Sequence, residues 1–126
     1  MTRFLLATDS VHTTAALCDY LDGRLSGQDV VDVVAVTGEA LDERDAADAL
    51  NVAGVRLGAV GTVEPANRSG DPPAEIRAHA AEVGAEEILV GVRASDVENG
   101  TIGTTTRRVL ADADRPVVVV PVPPLD

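Results

Sequence analysis

Two short stretches hold the residue types that could do chemistry. The first is Ala7-Thr8-Asp9-Ser10, which follows an apolar run at the start of the chain. The second begins at Gly91-Val92-Arg93-Ala94, continues through Ser95 to Gly100, and reaches Thr101-Ile102-Gly103-Thr104-Thr105. Glycine at 91 and 103 lets backbone approach a ligand closely. Gly103-Thr104-Thr105 opens a helical segment, where free N–H groups and the helix dipole favour an anion. Threonine hydroxyls add donors. The second stretch therefore has the parts of a phosphate cradle, with Arg93 as a cation. Asp9 repels phosphate, so its carboxylate suits a ribose hydroxyl, a base amine or a metal ion. Plainer readings stand beside these. Asp9 and Ser10 are both good helix caps, Gly91 serves equally as a strand-exit turn, and Gly103-Thr104 as an ordinary helix start.

Other chemistries lack their residues. All ten basic residues are arginine, which removes a P-loop lysine, a Schiff-base lysine and the lysine of a phospho-acceptor receiver domain. A receiver also needs an acidic pair after strand one and an aspartate after strand three; Asp9 stands alone, and Glu64 ends the third strand. His12, His79 and Cys18 have no zinc spacing, and no metal site is expected. Cys18 lies on an apolar helix stripe and reads as a core filler. His12, in the first turn after Asp9, reads as a solvated surface residue ahead of a ligand contact, and His79 as a helix-surface or partly buried one. There is no G-x-S-x-G elbow. Glu39, Asp42, Glu43, Asp45 and Asp48 read as a solvated acidic face.

These stretches need elements to position them. Arg3 to Thr8 reads as a strand, and Ser10 to Leu25 as a helix with Thr13/Thr14, Leu17, Cys18, Leu21 and Leu25 on one face, stopped by Gly27. Val30 to Val36 is a β-branched strand, and Leu41 to Leu57 a helix. Ala59 to Glu64 is a weak strand, followed by a turn-rich loop, Pro65 to Pro73. Asp71 caps a helix with Pro72 and Pro73 in its first turn, ending at Gly84. Glu87 to Val92 is a fourth strand, Arg93 to Gly100 a polar loop, Gly103 to about Ala113 the last helix, and Pro116 to Val122 the fifth strand. This βαβαβαβαβ order makes an α/β fold, a parallel sheet with helices on both faces. Ligands in such sheets bind beyond the carboxyl ends of the strands. Adjacent first and fourth strands would bring both stretches to one crevice.

The 126 residues fit one domain spanning 1–126, with 45% hydrophobic and 2% aromatic residues. The core must then be Val, Leu, Ile and Ala. The net charge of −11 disfavours nucleic acid and anionic membrane surfaces alike. No apolar run reaches membrane-span length, the N-terminal apolar stretch is too short for a secretory signal, and a single cysteine suits a reducing, cytoplasmic setting. The acidic, lysine-free composition is in the style of a halophilic microbe.

The chain resembles the universal stress protein family over nearly its whole length. Three pieces carry the resemblance: Phe4-Leu-Leu-Ala-Thr-Asp9-Ser10; Gly70-Asp-Pro-Pro-Ala-Glu-Ile76 with Ala81-Glu-Val-Gly-Ala-Glu-Glu-Ile-Leu-Val-Gly91; and Gly103-Thr-Thr-Thr-Arg-Arg-Val-Leu-Ala-Asp-Ala-Asp-Arg-Pro-Val-Val-Val-Val120, the most specific. The resemblance implies a five-stranded Rossmann-like sheet of order 3-2-1-4-5, of the adenine nucleotide alpha hydrolase type. It implies a cytoplasmic homodimer paired through strand five, Pro116 to Val122, from a halophilic archaeon given the composition. It further implies a family split into ATP-binding and non-binding branches. In the binding branch the signature is a glycine, two residues, a glycine, nine residues, then glycine and Ser/Thr. Here Gly91 stands for the first glycine and Gly103-Thr104 for the last pair. Ala94 replaces the second glycine, and Ser95 to Ile102 is one residue short. Carried over residue by residue, Ala7, Thr8 and Asp9 contact the adenosine half, Val36 offers backbone to the base, and Gly91, Arg93, Ala94, Gly103, Thr104 and Thr105 surround the phosphates.

Three functions compete. One is a stress-response regulatory module binding ATP or AMP, with Mg²⁺ or Mn²⁺ offsetting charge. The second is a dimer without nucleotide that acts through protein partners, as the broken signature suggests. The third is a slow ATPase, for which Asp9, Arg93, Arg107 and Arg108 are the available side chains. The residues favour a non-enzymatic module.

Overall fold

A computed structural model describes residues 1–93, 96, 100 and 102–124 of the chain. Its strands are β1 (Arg3–Thr8), β2 (Val30–Thr37), β3 (Thr62–Ser69), β4 (Glu87–Arg93) and β5 (Val117–Val122). Its helices are α1 (Val11–Leu21), α2 (Glu43–Leu57), α3 (Pro72–Val83) and α4 (Thr104–Ala111). The strands form one sheet of order β3-β2-β1-β4-β5, and each neighbouring pair is parallel. This is the expected fold. β1 lies between β2 and β4, and strand order reverses across the β1–β4 pair.

Side-chain alternation divides the core into two layers. Phe4, Leu6, Val31, Val33, Leu89 and Val120 face α1 and α2, meeting Leu17, Leu21 and Leu57. Leu5, Ala7, Val34, Val36, Ile88 and Val90 face the other way, meeting Ile76 and Ala80 of α3 and Val109 of α4. Because both faces are covered, the strands need no polar side, and that is why they read as continuous Val/Leu runs. Each fully buried Val, Leu or Ile is worth about 1.5–3 kcal/mol relative to exposure.

Three boundaries differ from the sequence reading by more than two residues. α1 stops at Leu21, because Asp22 leaves helical geometry and Gly23 takes φ +81°, a left-handed conformation that ends a helix. Ala59 and Val60 belong to the turn after α2, where the N–H groups of Val60 and Gly61 both bond the Leu57 carbonyl. β3 begins later than expected and runs through Pro65 to Ser69, in place of the expected loop. Pro65 is tolerated because β3 is an edge strand paired only with β2, where a missing donor can face away from the ladder. The start of α3 is as expected, with Pro72 and Pro73 in its first turn, and Gly84 at φ +69° closes it. Asp71, however, makes no capping bond. Its carboxylate instead receives both Arg108 terminal nitrogens at 3.2 Å, tying α3 to α4.

At the end of the sheet remote from the strand carboxyl termini, Asp29 clips the chain together. Its two carboxylate oxygens accept from Thr2 N and Ser26 N, each at 2.8 Å. These bonds hold its pKa below the ordinary carboxylate value. A depressed folded-state pKa gives stability that is present above the unfolded value, near 4, and lost as pH falls through the folded value. Asp29→Asn is therefore expected to be less stable than the native chain at pH 7. The difference should shrink on acidification below roughly pH 4, as read from urea midpoints across pH. A difference constant from pH 7 to pH 3 would sink the assignment.

Candidate functional site

The carboxyl ends of β1, β2 and β4 surround a cavity of about 750 Å³, within the range typical of small-molecule sites. Ala7, Thr8, Asp9, Val36, Gly91, Arg93, Gly103, Thr104 and Thr105 all line it. These are nine of the ten residues singled out from sequence; the tenth, Ala94, lies outside the described residues.

The cavity has two chemically distinct ends. One is apolar, formed by Val34 and Val36 of β2, Leu41 of the following connection, Ile76 of α3 and Val90 of β4. It can take a flat, uncharged ring system. The other end is polar and is built by the β1–α1 junction and the start of α4.

At that junction, Ser10 is the N-cap of α1, its hydroxyl accepting from Thr13 N at 3.0 Å. The capping reading thus holds for Ser10. Asp9 does not cap. It is exposed, and its Oδ1 accepts the Thr13 hydroxyl at 2.8 Å, while Oδ2 receives no hydrogen bond among the described residues. The Thr8 and Thr14 hydroxyls lie 2.6 Å apart, and both reach the Ser10 carbonyl, at 2.9 and 3.0 Å. Thr8 is therefore buried and committed to shaping the loop.

At the other wall, Gly103 precedes α4 at φ −56° and ψ 152°, with no side-chain cap for the helix. Among the described residues no side chain caps the first N–H groups of α4, which leaves them for water or a ligand. Thr106 turns its hydroxyl back to the Gly91 carbonyl at 3.1 Å. Thr104 and Thr105 are exposed and make no side-chain hydrogen bond among the described residues. Arg93 stands exposed at the end of β4, without an ion pair among the described residues.

The two glycines have different reasons to be glycine. A Cβ on Gly91 would lie 2.8 Å from Val122 Cγ2 and 3.0 Å from Thr13 Cγ2. The close approach there is to protein atoms, not to a ligand as the sequence reading has it. A Cβ on Gly103 would meet nothing within 4 Å, and its φ suits any residue. The described protein atoms make no demand for glycine at 103.

Sequence reasoning missed several lining residues. Thr13, offered with Thr14 for the apolar face of the first helix, lines the cavity. Leu41, Ile76 and the Val122-Pro123-Pro124 tail reach the cavity only through the tertiary fold. His12 is half-buried rather than solvated and lines the cavity; its Nε2 pairs with the Pro123 carbonyl, which can only accept, so Nε2 donates. This bond ties the tail to α1. His79 lies outside the cavity wall and accepts at Nδ1 from Arg68 at 3.2 Å. Cys18 is buried in the α1–α2 core layer, and burial pushes its thiol up to about 11. Among the described residues, no cluster of three His, Cys, Asp or Glu side chains could hold a metal ion. No helix among the described residues is long and apolar enough to cross a membrane.

Comparison with known proteins agrees with this architecture. Residues 4–121 match the universal stress protein family. Among solved structures, hypothetical protein MJ0577 is 19% identical with a TM-score of 0.78, each chain covered to 95%. A universal stress protein family protein of Arabidopsis thaliana with AMP bound is 14% identical, TM-score 0.75, covering 96% of this chain and 92% of its own. The universal stress protein of Archaeoglobus fulgidus in complex with dAMP is 21% identical, TM-score 0.60, covering 95% of this chain and 98% of its own. No curated protein matches the sequence.

Proposed function

We propose that this chain, which belongs to the universal stress protein family, is a non-enzymatic regulatory module that binds an adenine nucleotide, ATP or AMP, in the β1–β4 cleft. The observation that carries this reading is the pairing of an apolar recess with an uncapped helix N-terminus in one cavity. The base would lie against Val36 and Ile76, with Asp9 Oδ2 accepting from the ribose. A phosphate would sit at the start of α4, bonded by its N–H groups and by the Thr104 and Thr105 hydroxyls. Ala94 would lie beside that phosphate. The neighbours solved with AMP and dAMP support an adenine ligand. Mg²⁺ or Mn²⁺ would be held by phosphate oxygens and water. Phosphoryl transfer additionally demands a placed water and a cationic clamp, and Arg93 alone is a thin one, which favours binding without turnover.

The dimer would form through β5. Among the described residues its outer edge pairs with no further strand, and Val117, Val118 and Val119 are half-buried. Such an edge needs covering. Pro121 lacks an N–H and would confine pairing to Val117–Val120. A second reading, a dimer that binds partners and no nucleotide, is favoured by Ala94 and the shortened loop.

Calorimetric titration of AMP and of ATP with Mg²⁺ into the purified chain decides between the two. Saturable binding is expected, and Gly103→Val should weaken it by at least about tenfold by crowding the phosphate. The melting temperature should stay put. Absence of heat, with no co-purified nucleotide, would transfer the case to the second reading.

A further inference from the structure

We infer that this cavity selects, by charge, a nucleoside carrying no more than one phosphate group; the inference rests on the nucleotide reading above. The polar end holds two carboxylates, Asp9 and Asp96, against one guanidinium, Arg93, and the His12 imidazole, whose Nε2 is taken up by the Pro123 carbonyl. The two arginines nearest the start of α4 are used elsewhere. Arg107 donates to the Ile102 carbonyl at 3.3 Å, and Arg108 forks onto the Asp71 carboxylate. Neither lines the cavity, and the chain has no lysine to reach in.

The attraction that remains is the first turn of α4. Its N–H groups and the Thr104 and Thr105 hydroxyls supply enough donors for one phosphate. A helix dipole amounts to roughly half a charge, and its pull fades within the first turn. A second and third phosphate would extend beyond this cradle into a neighbourhood of carboxylates. The chain's net charge of −11 adds to the repulsion. A site that held polyphosphates through side-chain cations would lose affinity as salt rises. Here the sign reverses for the more highly charged ligand, because salt screens repulsion instead of attraction.

The test is a titration series with adenosine, adenosine 3′,5′-cyclic monophosphate, AMP and ATP at about 50 mM and about 1 M KCl, where the screening length falls to roughly 3 Å. At low salt, the one-phosphate ligands are expected to bind on the order of tenfold tighter than ATP, the effect of two extra charges at effective dielectric values typical of a surface. At high salt ATP should gain and the gap should close, while adenosine stays nearly constant. Asp96→Asn should raise ATP affinity more than adenosine affinity. ATP binding tighter than AMP at low salt, with or without Mg²⁺, overturns the inference and leaves the nucleotide reading standing. No binding by any of the four ligands overturns both.

Discussion

Valine in place of Gly91 is expected to lower the melting temperature by roughly 4–12 °C, since overpacking costs about 1–3 kcal/mol and a domain of this size loses about 4 °C per kcal/mol. The added Cβ would stand 2.8 Å from Val122 Cγ2 and 3.0 Å from Thr13 Cγ2. Neither neighbour is the loose end of a long side chain. Val122 is buried on β5, and Thr13 is held at the start of α1 by its bonds to Asp9 and Ser10. Relief therefore requires β4, β5 and α1 to move apart. The same substitution at Gly103 meets open space and should leave the thermal melt unchanged, so the pair separates a glycine required by packing from one free to serve a ligand. Thermal unfolding followed by circular dichroism checks both. A Gly91→Val melt equal to the native one would mean that these three elements do not meet as described.

This contrast also shows what a sequence can and cannot convey. Both glycines were visible as candidates, and their spacing to Thr104 carried the resemblance. Nothing in the linear order indicates that Gly91 faces Val122, because that contact depends on β4 pairing with β5 and on α1 crossing behind them. The sheet itself was readable. Buried parallel strands are apolar on both faces, and β1, β2, β4 and β5 announce themselves as Val/Leu runs. β3 was cut short because an edge strand tolerates Pro65 and carries Glu64, Asn67 and Arg68, which resemble a loop in composition. The polar end of the cavity was legible from Asp9 and Gly103-Thr104-Thr105, since helix starts have a local code. Its apolar end was not, because Leu41 and Ile76 look like any other core residues until the fold brings them beside Val36.

Asp32 is the buried polar residue that the strand pattern hides. It sits in the middle of the apolar run of β2, opposite Leu5, and its side chain is 3% exposed against 31% for its partner Arg3. Arg3 bonds it through Nε at 2.7 Å and through a terminal nitrogen at 3.1 Å, the two-pronged geometry that stabilises a carboxylate out of water. The two ends of this pair are not equivalent. Removing Arg3 strands a charge that has no route to solvent, whereas removing Asp32 leaves a guanidinium that can turn outward on its flexible stem. Arg3→Met is therefore expected to cost about 2–3 kcal/mol, below the ~3–5 kcal/mol of fully enclosed pairs because Arg3 is partly wet. Asp32→Val should cost less than Arg3→Met. The double variant should recover most of the loss, since well-packed apolar residues commonly replace a buried pair without penalty. Urea denaturation of the three variants gives the comparison. If Asp32→Val proves the costlier single change, then Asp32 owes its place to hydrogen bonding that Arg3 needs, and the account of a carboxylate held in place by its arginine fails.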